Sequence, residues 1–328
     1  MTRIFFWSAD SSGCAYYRCV LPAGQLAARG HEVLVNTVMP DEWLRTADII
    51  VGQRVCQPGV TMRWQQLAAE GRAKLVYEID DDLLDVDPSN APAWAFFGRP
   101  DIQANVIRNI KVADLVTAST DYLAEVVSKL NPNVVVLPNY IPASLLEAPR
   151  AVGRKGVVIG WSGGASHRLD LAELGTNLSR FLRRYPDVSL HLMGDAQAAA
   201  LLSKGIRDRT RFTPWVESVP EFHAAVDFDI TLAPLRASRF NRSKSAIRCL
   251  EAAALGIPVI ASDFGPYADF VRHGETGLLV SRPHEWPQYL RELLDPFVRR
   301  EMGKKAGKLA EEHTIEGNIG LWEKAYQL

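Results

Sequence analysis

The chain has 328 residues, a length typical of two domains, and its 47% hydrophobic residues suffice for two cores. Its 37 Lys and Arg residues nearly balance its 38 Asp and Glu residues. The resulting net charge of -1 argues against a strongly cationic nucleic-acid binder, although it leaves room for a local basic patch. No apolar run reaches the roughly 18 residues that a membrane-spanning helix needs.

The N-terminus and the cysteines bear on the cellular compartment in which the protein is expected. The N-terminal stretch Met1–Trp7 turns polar at Ser8, which leaves its apolar part too short for a signal peptide, so it is predicted to be a strand. The cysteines form no Cys-x-x-Cys pair, which predicts neither a zinc ribbon nor a disulfide framework. We therefore expect a cytoplasmic protein with four reduced thiols, at Cys14, Cys19, Cys56 and Cys249.

Strand and helix signals alternate along the chain. In the first half the predicted strands are Arg3–Trp7, Glu32–Asn36, Asp48–Gly52, Lys74–Ile79, Leu115–Ala118 and Val134–Leu137. The predicted helices there are Tyr16–Arg29, Thr61–Glu70, Ile102–Val112 and Asp121–Leu130, with an acidic loop over Asp80–Pro100. In the second half the predicted strands are Gly156–Trp161, Val188–Met193, Arg211–Trp215, Ile230–Ala233 and Pro258–Ala261. The clearest helices there are Leu169–Tyr185, Ser245–Leu255 and a helical tail from Trp286.

Short apolar strands that alternate with helices predict the α/β class, with parallel sheets covered on both faces. Two such series predict two doubly wound, Rossmann-like domains that face each other across a cleft. The break is a stretch rich in Pro and Gly at Pro142–Lys155. The predicted domains are therefore residues 1–147, joined by the C-terminal helix 312–328, and residues 155–311. Ligands of such sheets bind beyond the carboxyl ends of the strands, so functional residues are expected in the loops there.

The segment Asn241–Glu251 follows a predicted strand and opens a predicted helix. With Ser243 as the N-cap, the free N–H groups of the first turn suit a phosphate, and Lys244 adds a full positive charge. Lys244, Arg248 and Glu251 would then share one helix face. A solvated ion-pair face on an ordinary helix is the alternative interpretation.

Two motifs follow this segment. Ala252–Ser262 contains Ala-Leu-Gly-Ile-Pro-Val-Ile, and Gly274–Val280 reads Gly-Glu-Thr-Gly-Leu-Leu-Val. They resemble signatures of the retaining glycosyltransferases of family 4 (glycosyl transferases group 1), which have the GT-B fold. The resemblance is dense from Asp227 to Ser281 and thin in the first half, where its matches are Gly30–Val33, Ala113–Ser119 and Val136–Asn139.

The resemblance implies roles for residues of the second domain. Glu251 matches the second Glu of the family's Glu-x7-Glu motif and would hold the nucleotide ribose. Ser243 stands where the family has the first Glu, which contacts the donor sugar, so the chain departs from the family there. The remaining expected donor contacts are Gly163, Gly164, Asn241 and Ser245 in the second domain and Gly13 in the first.

The family also places an Arg and a Lys after the first strand of the second domain, where they neutralise the diphosphate. In this chain Trp161 falls at the Arg position and His167 lies near the Lys position. Arg168 or Lys244 is therefore expected to supply the missing charge. A cation at the departing diphosphate stabilises the leaving group.

The first domain carries fewer signals. Gly13, after the first strand, lets the backbone approach a ligand closely, although a plain strand-to-helix turn is the alternative. The Gly-x-Gly-x-x-Gly fingerprint of nicotinamide cofactors is absent. Tyr16, Tyr17 and Arg18 open the next helix and are expected on the acceptor side.

The run Asp80-Asp81-Asp82 ends the fourth strand. A divalent-metal site is one interpretation, but enzymes of the GT-B fold resemble one another in needing no metal. We therefore expect metal-independent catalysis in which Asp80 and Asp81 contact the acceptor hydroxyl or act as the base. A solvated acidic loop that includes Asp85 and Asp87 is the alternative.

A basic cluster lies in the C-terminal tail and is either a solvated helix face or a contact for an anionic acceptor or a membrane surface. It consists of Arg299, Arg300, Lys304, Lys305 and Lys308.

Together these features predict transfer of a sugar from a nucleotide diphosphate-sugar to an acceptor hydroxyl, with retention of anomeric configuration. The expected donor is a UDP- or GDP-sugar, with no other cofactor. The sequence does not identify the acceptor, for which a glycan, a lipid, a protein and a modified DNA base are the alternatives. The alternatives are a sugar-nucleotide epimerase of the same fold and a non-catalytic sugar-nucleotide binding protein.

Overall fold

The computed structural model describes residues 1–148 and 155–328. The predicted boundary at Pro142–Lys155 falls partly on residues 149–154, which lie outside the described residues. The described chain divides into two compact units. The first comprises Met1–Tyr140, Arg242–Ser245 and Ile315–Leu328, and the second comprises Ile141–Asn241 and Ala246–Thr314.

The first unit contains a parallel six-stranded sheet in the order β2-β1-β3-β4-β5-β6. Its strands are mostly apolar, as expected for a parallel sheet with helices on both faces, and all five residues of β3 are buried. The strands are β1 Arg3–Trp7, β2 Glu32–Asn36, β3 Ile49–Gln53, β4 Lys74–Ile79, β5 Leu115–Ala118 and β6 Val134–Val136.

The helices of the first unit mostly follow the predicted pattern. The predicted helix Tyr16–Arg29 begins earlier, at Gly13, and contains a π-helical turn. Asp41–Thr46 and Ala91–Phe97 were not predicted, and the second of these buries no residue, so it has no apolar stripe to detect. The helices are Gly13–Ala15, Tyr16–Val20 (π), Leu21–Ala28, Asp41–Thr46, Pro58–Glu70, Ala91–Phe97, Pro100–Val112, Asp121–Ser128, Ile315–Asn318 and Gly320–Tyr326.

The second unit also contains a parallel six-stranded sheet, in the order β12-β11-β10-β7-β8-β9. Counted from β7, this is the 3-2-1-4-5-6 order of dinucleotide-binding sheets. The strands are β7 Val157–Gly163, β8 Val188–Gly194, β9 Thr210–Pro214, β10 Ile230–Ala233, β11 Val259–Ser262 and β12 Gly277–Val280.

Two predicted helical stretches of the second half are broken in the structure. Leu169–Tyr185 is two helices, because Gly175 adopts a φ of +50°. The tail is also discontinuous, because Asp295 caps a new helix through the N–H groups of Phe297 and Val298. The α-helices from Lys155 to Thr314 are Arg168–Ala172, Gly175–Arg184, Lys204–Arg207, Val219–Ala225, Arg239–Ser243, Ile247–Ala254, Pro266–Phe270, Glu285–Glu292 and Pro296–Glu311. Short 3-10 helices span Ala143–Glu147, Ala165–His167 and Ala198–Leu201.

Among the described residues, no helix combines the length and apolar character that crossing a membrane requires.

Candidate functional site

Each sheet has a point where the direction of its strand order reverses. In the first unit, β1 pairs with β2 on one side and β3 on the other. In the second unit, β7 pairs with β8 on one side and β10 on the other. Loops diverge at such points and leave a crevice at the carboxyl ends of the strands, where α/β sheets bind their ligands.

Asp170 organises the crevice of the second unit. Its buried carboxylate accepts hydrogen bonds from the backbone N–H of Arg236 (3.0 Å) and from Nδ2 of Asn241 (2.9 Å). Its other oxygen lies 2.8 Å from Nδ1 of His167. Burial opposes ionisation of Asp170, but the hydrogen bond to His167 and the groups beside it outweigh burial and lower its pKa. Asp170 therefore joins the loop after β7 to the loop after β10 and orients His167.

Two of the predicted donor residues, Asn241 and Arg168, are bound to other residues of this crevice. Asn241 is buried, and its amide also donates to the carbonyl of Arg236 (2.9 Å), so it holds the loop in place. Arg168 forms a two-pronged hydrogen bond with Asp195, at 2.6 and 3.0 Å, and this contact lowers the pKa of Asp195. The Arg168 side chain is 31% exposed, so it lies at the surface of the crevice while bound to Asp195.

Glycines at the ends of β7 and β8 bring these two strand ends close together. Gly194 has a φ of +103°, and a Cβ there would stand 2.5 Å from the carbonyl oxygen of Gly163. Trp215 lies beside them: a Cβ on Gly164 would be 3.5 Å from its ring. This indole is 55% exposed at the carboxyl end of the sheet. Trp215 was predicted as the last residue of a strand and not as a site residue, whereas β9 ends at Pro214 and leaves Trp215 in the following loop.

Glu251 lies on the helix Ile247–Ala254, in the second unit. Its Oε1 is 3.1 Å from Nε2 of His223, and the side chains of Glu251 and His223 are 15% and 6% exposed. His223 belongs to the helix Val219–Ala225 and was not among the predicted site residues. The pair fixes one carboxylate oxygen of Glu251.

The predicted helix start at Ser243 is wrong. The N-cap of Ile247–Ala254 is Ala246, and no side chain caps this end. Ser243 is fully buried instead, and its hydroxyl accepts a hydrogen bond from the backbone N–H of Asp82 (3.0 Å). Its carbonyl accepts from the hydroxyl of Thr120 (3.0 Å). These bonds compete with helical ones and hold the segment within the first unit.

The side chains of Ser245 and Lys244 also contact residues of the first unit. The hydroxyl of Ser245 accepts from Nδ2 of Asn139 (2.8 Å). Nζ of Lys244 lies 3.1 Å from Oδ1 of Asp81. The spacing predicted that Lys244 shares a helix face with Arg248 and Glu251. This is wrong, because Lys244 precedes the helix.

Asp80 and Asp81 lie at the end of β4 and are paired with cations. Arg54 contacts Asp80 through Nε and Asp81 through Nη2, the latter at 3.2 Å. Burial opposes ionisation of Asp80, but Arg54 outweighs it and lowers the pKa of Asp80. Arg54 was not predicted as a site residue, and its φ of +50° is a left-handed conformation that costs a non-glycine residue of the order of 1 kcal/mol or more.

Arg18, which was predicted on the acceptor side, is buried and paired within the first unit. It is 1% exposed and forms a two-pronged ion pair with Glu78, at 2.7 and 2.9 Å. Tyr17 is also buried, and Tyr16 is half-buried, with its ring edge-on to that of Tyr17. Gly13 opens its helix with unoccupied space at its Cβ position, so packing does not require a glycine there.

Within residues 1–148 and 155–328, no three His, Cys, Asp or Glu side chains converge as the ligands of a metal ion would.

The second unit matches a known family. Residues 157–296 match the family described as "Glycosyl transferases group 1". The chain is 34% identical over 160 residues to D-inositol 3-phosphate glycosyltransferase of Rhodococcus erythropolis, covering 46% of this chain and 32% of that protein. It is 32% identical over 114 residues to the GDP-mannose-dependent alpha-(1-6)-phosphatidylinositol monomannoside mannosyltransferase of Mycobacterium tuberculosis, covering 33% and 30%. The matched stretches thus span about a third of the length of these curated relatives.

The fold has solved counterparts. The structure of Anabaena HepE in complex with UDP-glucose aligns with 100% of both chains, with a TM-score of 0.72 and 16% identity. The chain therefore has the GT-B fold, as predicted, and its residues 157–296 are similar to the group 1 glycosyltransferases.

Proposed function

We propose that the protein transfers a sugar from a nucleotide diphosphate-sugar, UDP- or GDP-linked, to an acceptor hydroxyl, with retention of configuration and without a metal ion. The matched relatives are named as a glycosyltransferase and as a GDP-mannose-dependent mannosyltransferase. The structural counterpart binds UDP-glucose. The acceptor is a glycan, a lipid, a protein or a modified DNA base, and the basic residues of the helix Pro296–Glu311 contact the surface of a membrane.

The observation that carries the proposal is Glu251. It lies on the helix after β10, within the segment that matches the family, and His223 fixes one of its oxygens at 3.1 Å. A carboxylate accepts hydrogen bonds from both hydroxyls of a ribose cis-diol. Glu251 therefore suits the nucleotide end of the donor.

The diphosphate of the donor needs positive charge as it departs. The second unit offers His167, a side chain that is cationic when protonated and whose Nδ1 lies 2.8 Å from the buried Asp170. It also offers the start of the helix Ile247–Ala254, where no side chain caps the N–H groups and Arg248 lies in the first turn. These groups stabilise the leaving diphosphate electrostatically, which is commonly a large part of enzymatic rate enhancement.

The test is incubation with a panel of UDP- and GDP-sugars and candidate acceptors, followed by chromatography and NMR of the products. Transfer with the donor's anomeric configuration supports the proposal. An epimerised sugar nucleotide, or tight binding without turnover, would establish one of the alternatives instead.

Glu251→Ala tests the site assignment by calorimetry with the nucleoside diphosphate that the panel selects. Losing a charged hydrogen-bond acceptor costs about 1.5–3 kcal/mol, or roughly 10- to 150-fold in Kd. Glu292→Ala is the matched control, because Glu292 is an exposed carboxylate in the same unit. Unchanged affinity in folded Glu251→Ala would refute the assignment.

A further inference from the structure

A cavity of about 930 Å³ follows one edge of the sheet in the first unit, and we call it the edge groove. It is lined by the whole of β6, Val134–Val136, which is the last strand in the order of this sheet. The helix Gly320–Tyr326 forms another wall through Leu321, Lys324 and Ala325. The edge groove therefore runs between an outer strand and a helix of the same unit.

The edge groove lies away from the place where a substrate of this sheet is expected. Lys74 and Leu115, which line it, are the first residues of β4 and β5. The groove is thus at the amino ends of these two strands, whereas doubly wound sheets bind their substrates beyond the carboxyl ends. A molecule in the edge groove would leave the substrate position of this sheet open.

The backbone of β6 presents hydrogen-bonding groups on its outer edge. The carbonyl of Asn133 and the N–H of Leu137 bond to β5, at 2.8 and 2.9 Å. Because every second residue of a parallel strand bonds to the same neighbour, Val134 and Val136 direct their N–H and C=O groups to the other side. The N–H of Val134 bonds to the carbonyl of Pro132 (3.2 Å). The N–H of Val136 and two carbonyls thus face a side on which the described chain has no further strand.

The side chains of β6 leave this edge open to pairing. All three of its residues are valines that are only half-buried, although Val134 and Val135 pack against core residues. Natural proteins commonly protect an edge strand with a charged residue, a proline or a bulge, and β6 has none of these. Leu321 is 40% exposed and adds apolar surface to the groove. The edge groove consequently suits an extended chain with apolar side chains.

The charge of the edge groove is positive. Among the described residues that line it, the cations are Arg72, Lys74 and Lys324, and the carboxylate is Asp114. Arg72 and Lys74 each donate to two backbone carbonyls, which are neutral and leave the positive charges uncompensated. Asp114 accepts from the backbone N–H of Leu75 (2.7 Å). An acidic partner complements this surface, whereas a second copy of the chain would bring the same three cations against it.

We propose that the edge groove binds an extended acidic peptide segment of a partner protein, which adds to β6 as a further strand. Main-chain hydrogen bonds to Val134 and Val136 provide affinity, and the carboxylates of the segment meet Lys74 and Lys324. This interaction goes beyond the proposed function and does not depend on it.

The probe is the fluorescein-labelled peptide Glu-Val-Thr-Val-Glu with blocked termini, and binding is measured by fluorescence anisotropy. We expect a Kd below about 1 mM, and binding of Lys-Val-Thr-Val-Lys about tenfold weaker or worse. The acidic peptide with two adjacent N-methylated residues should bind about 3- to 10-fold more weakly, because both of its edges lose a donor.

Two variants test the two sources of affinity. Val136→Pro removes the N–H that faces the groove and should weaken the acidic peptide about 3- to 10-fold. Lys324→Glu should weaken the acidic peptide by a similar factor, about 3- to 10-fold, and strengthen the basic one. Lys204→Glu is the matched control, because Lys204 is an exposed lysine of the second unit. If Val136→Pro does not fold, Lys324→Glu carries the test, since Lys324 is exposed.

Several outcomes would overturn the proposal. They are the absence of binding below about 1 mM, equal binding of the acidic and basic peptides, and unchanged binding of the N-methylated peptide. Unchanged affinity in both Lys324→Glu and folded Val136→Pro would also overturn it. Self-association in sedimentation that Val136→Pro abolishes would show that the edge groove pairs two copies of the chain instead.

Discussion

The buried ion pair between Arg18 and Glu78 offers a sharp test of how the first unit is held together. The two side chains are 1% and 2% exposed. Arg18 also donates to the carbonyl of Leu137 (2.5 Å) and to Oδ1 of Asn139 (2.9 Å). Arg18→Met keeps most of the volume and removes the charge, which leaves Glu78 buried without its cation.

Breaking such a pair by removing one partner costs about 3–5 kcal/mol, because the remaining charge stays desolvated. That is a large part of the roughly 5–15 kcal/mol that stabilises an ordinary domain. Adding Glu78→Gln removes the stranded charge while keeping an amide beside Thr117. The double variant should therefore recover at least about 2 kcal/mol of the loss.

The folding stability of Arg18→Met should depend on pH in a definite direction. Burial raises the pKa of Glu78 even though Arg18 opposes this, so the folded protein binds a proton on Glu78 more readily than the unfolded chain. Removing Arg18 takes away the main charge that lowers the pKa of Glu78. Stability of Arg18→Met should accordingly rise as pH falls through the raised pKa of Glu78, and fall as pH increases.

Urea denaturation followed by circular dichroism gives the free energies of unfolding, and hydrogen exchange of the amides in β4 localises the loss to the first unit. A loss below 1 kcal/mol in Arg18→Met, or no recovery in the double variant, would refute this reasoning.

Four further predictions follow from the contacts. Lys244→Met and Asp81→Asn should be coupled by about 1 kcal/mol in a double-mutant cycle on kcat/KM, and additive effects would show that the pair does not act together. His223→Ala should weaken nucleoside diphosphate binding about 3- to 10-fold, less than Glu251→Ala, because it frees the carboxylate without removing it. Gly194→Ala should cost about 1–3 kcal/mol in unfolding free energy, because a Cβ meets the backbone at 2.5 Å and φ is +103°. Transfer should persist in excess chelator, and loss of activity that magnesium or manganese restores would overturn the metal-free proposal.

The fold was largely predictable because most strands are short apolar runs bounded by turns. Arg3–Trp7, Glu32–Asn36 and Lys74–Ile79 match their predicted bounds. Two of the missed features carry a weak local signal: Ala91–Phe97 buries none of its residues, and the break at Gly175 depends on a positive φ that sequence periodicity does not report. The strand Gly277–Val280 was also missed, although it is a short apolar run.

The sequence predicted which loops carry the site residues, but it did not predict most of the side chains that those residues contact. His167 and Glu251 lie at the carboxyl side of their sheet, in loops or helices that follow strands. Their partners Asp170 and His223 come from other segments, and no spacing rule connects residues whose distance depends on tertiary packing. Arg54 was hidden for the same reason: its pairing with Asp80 joins the ends of β3 and β4.

The spacing argument for Lys244 failed for a reason that bears on the chemistry. The rule that residues four apart share a face holds within one continuous helix. Here the helix begins after Ala246, because the hydroxyl and carbonyl of Ser243 bind Asp82 and Thr120 in the first unit. Lys244 consequently pairs with Asp81, and only Arg248 and Glu251 remain on the helix. If the second unit holds the donor, that unit's own loops offer positive charge for the diphosphate, and replacing His167, which Asp170 orients, should slow transfer.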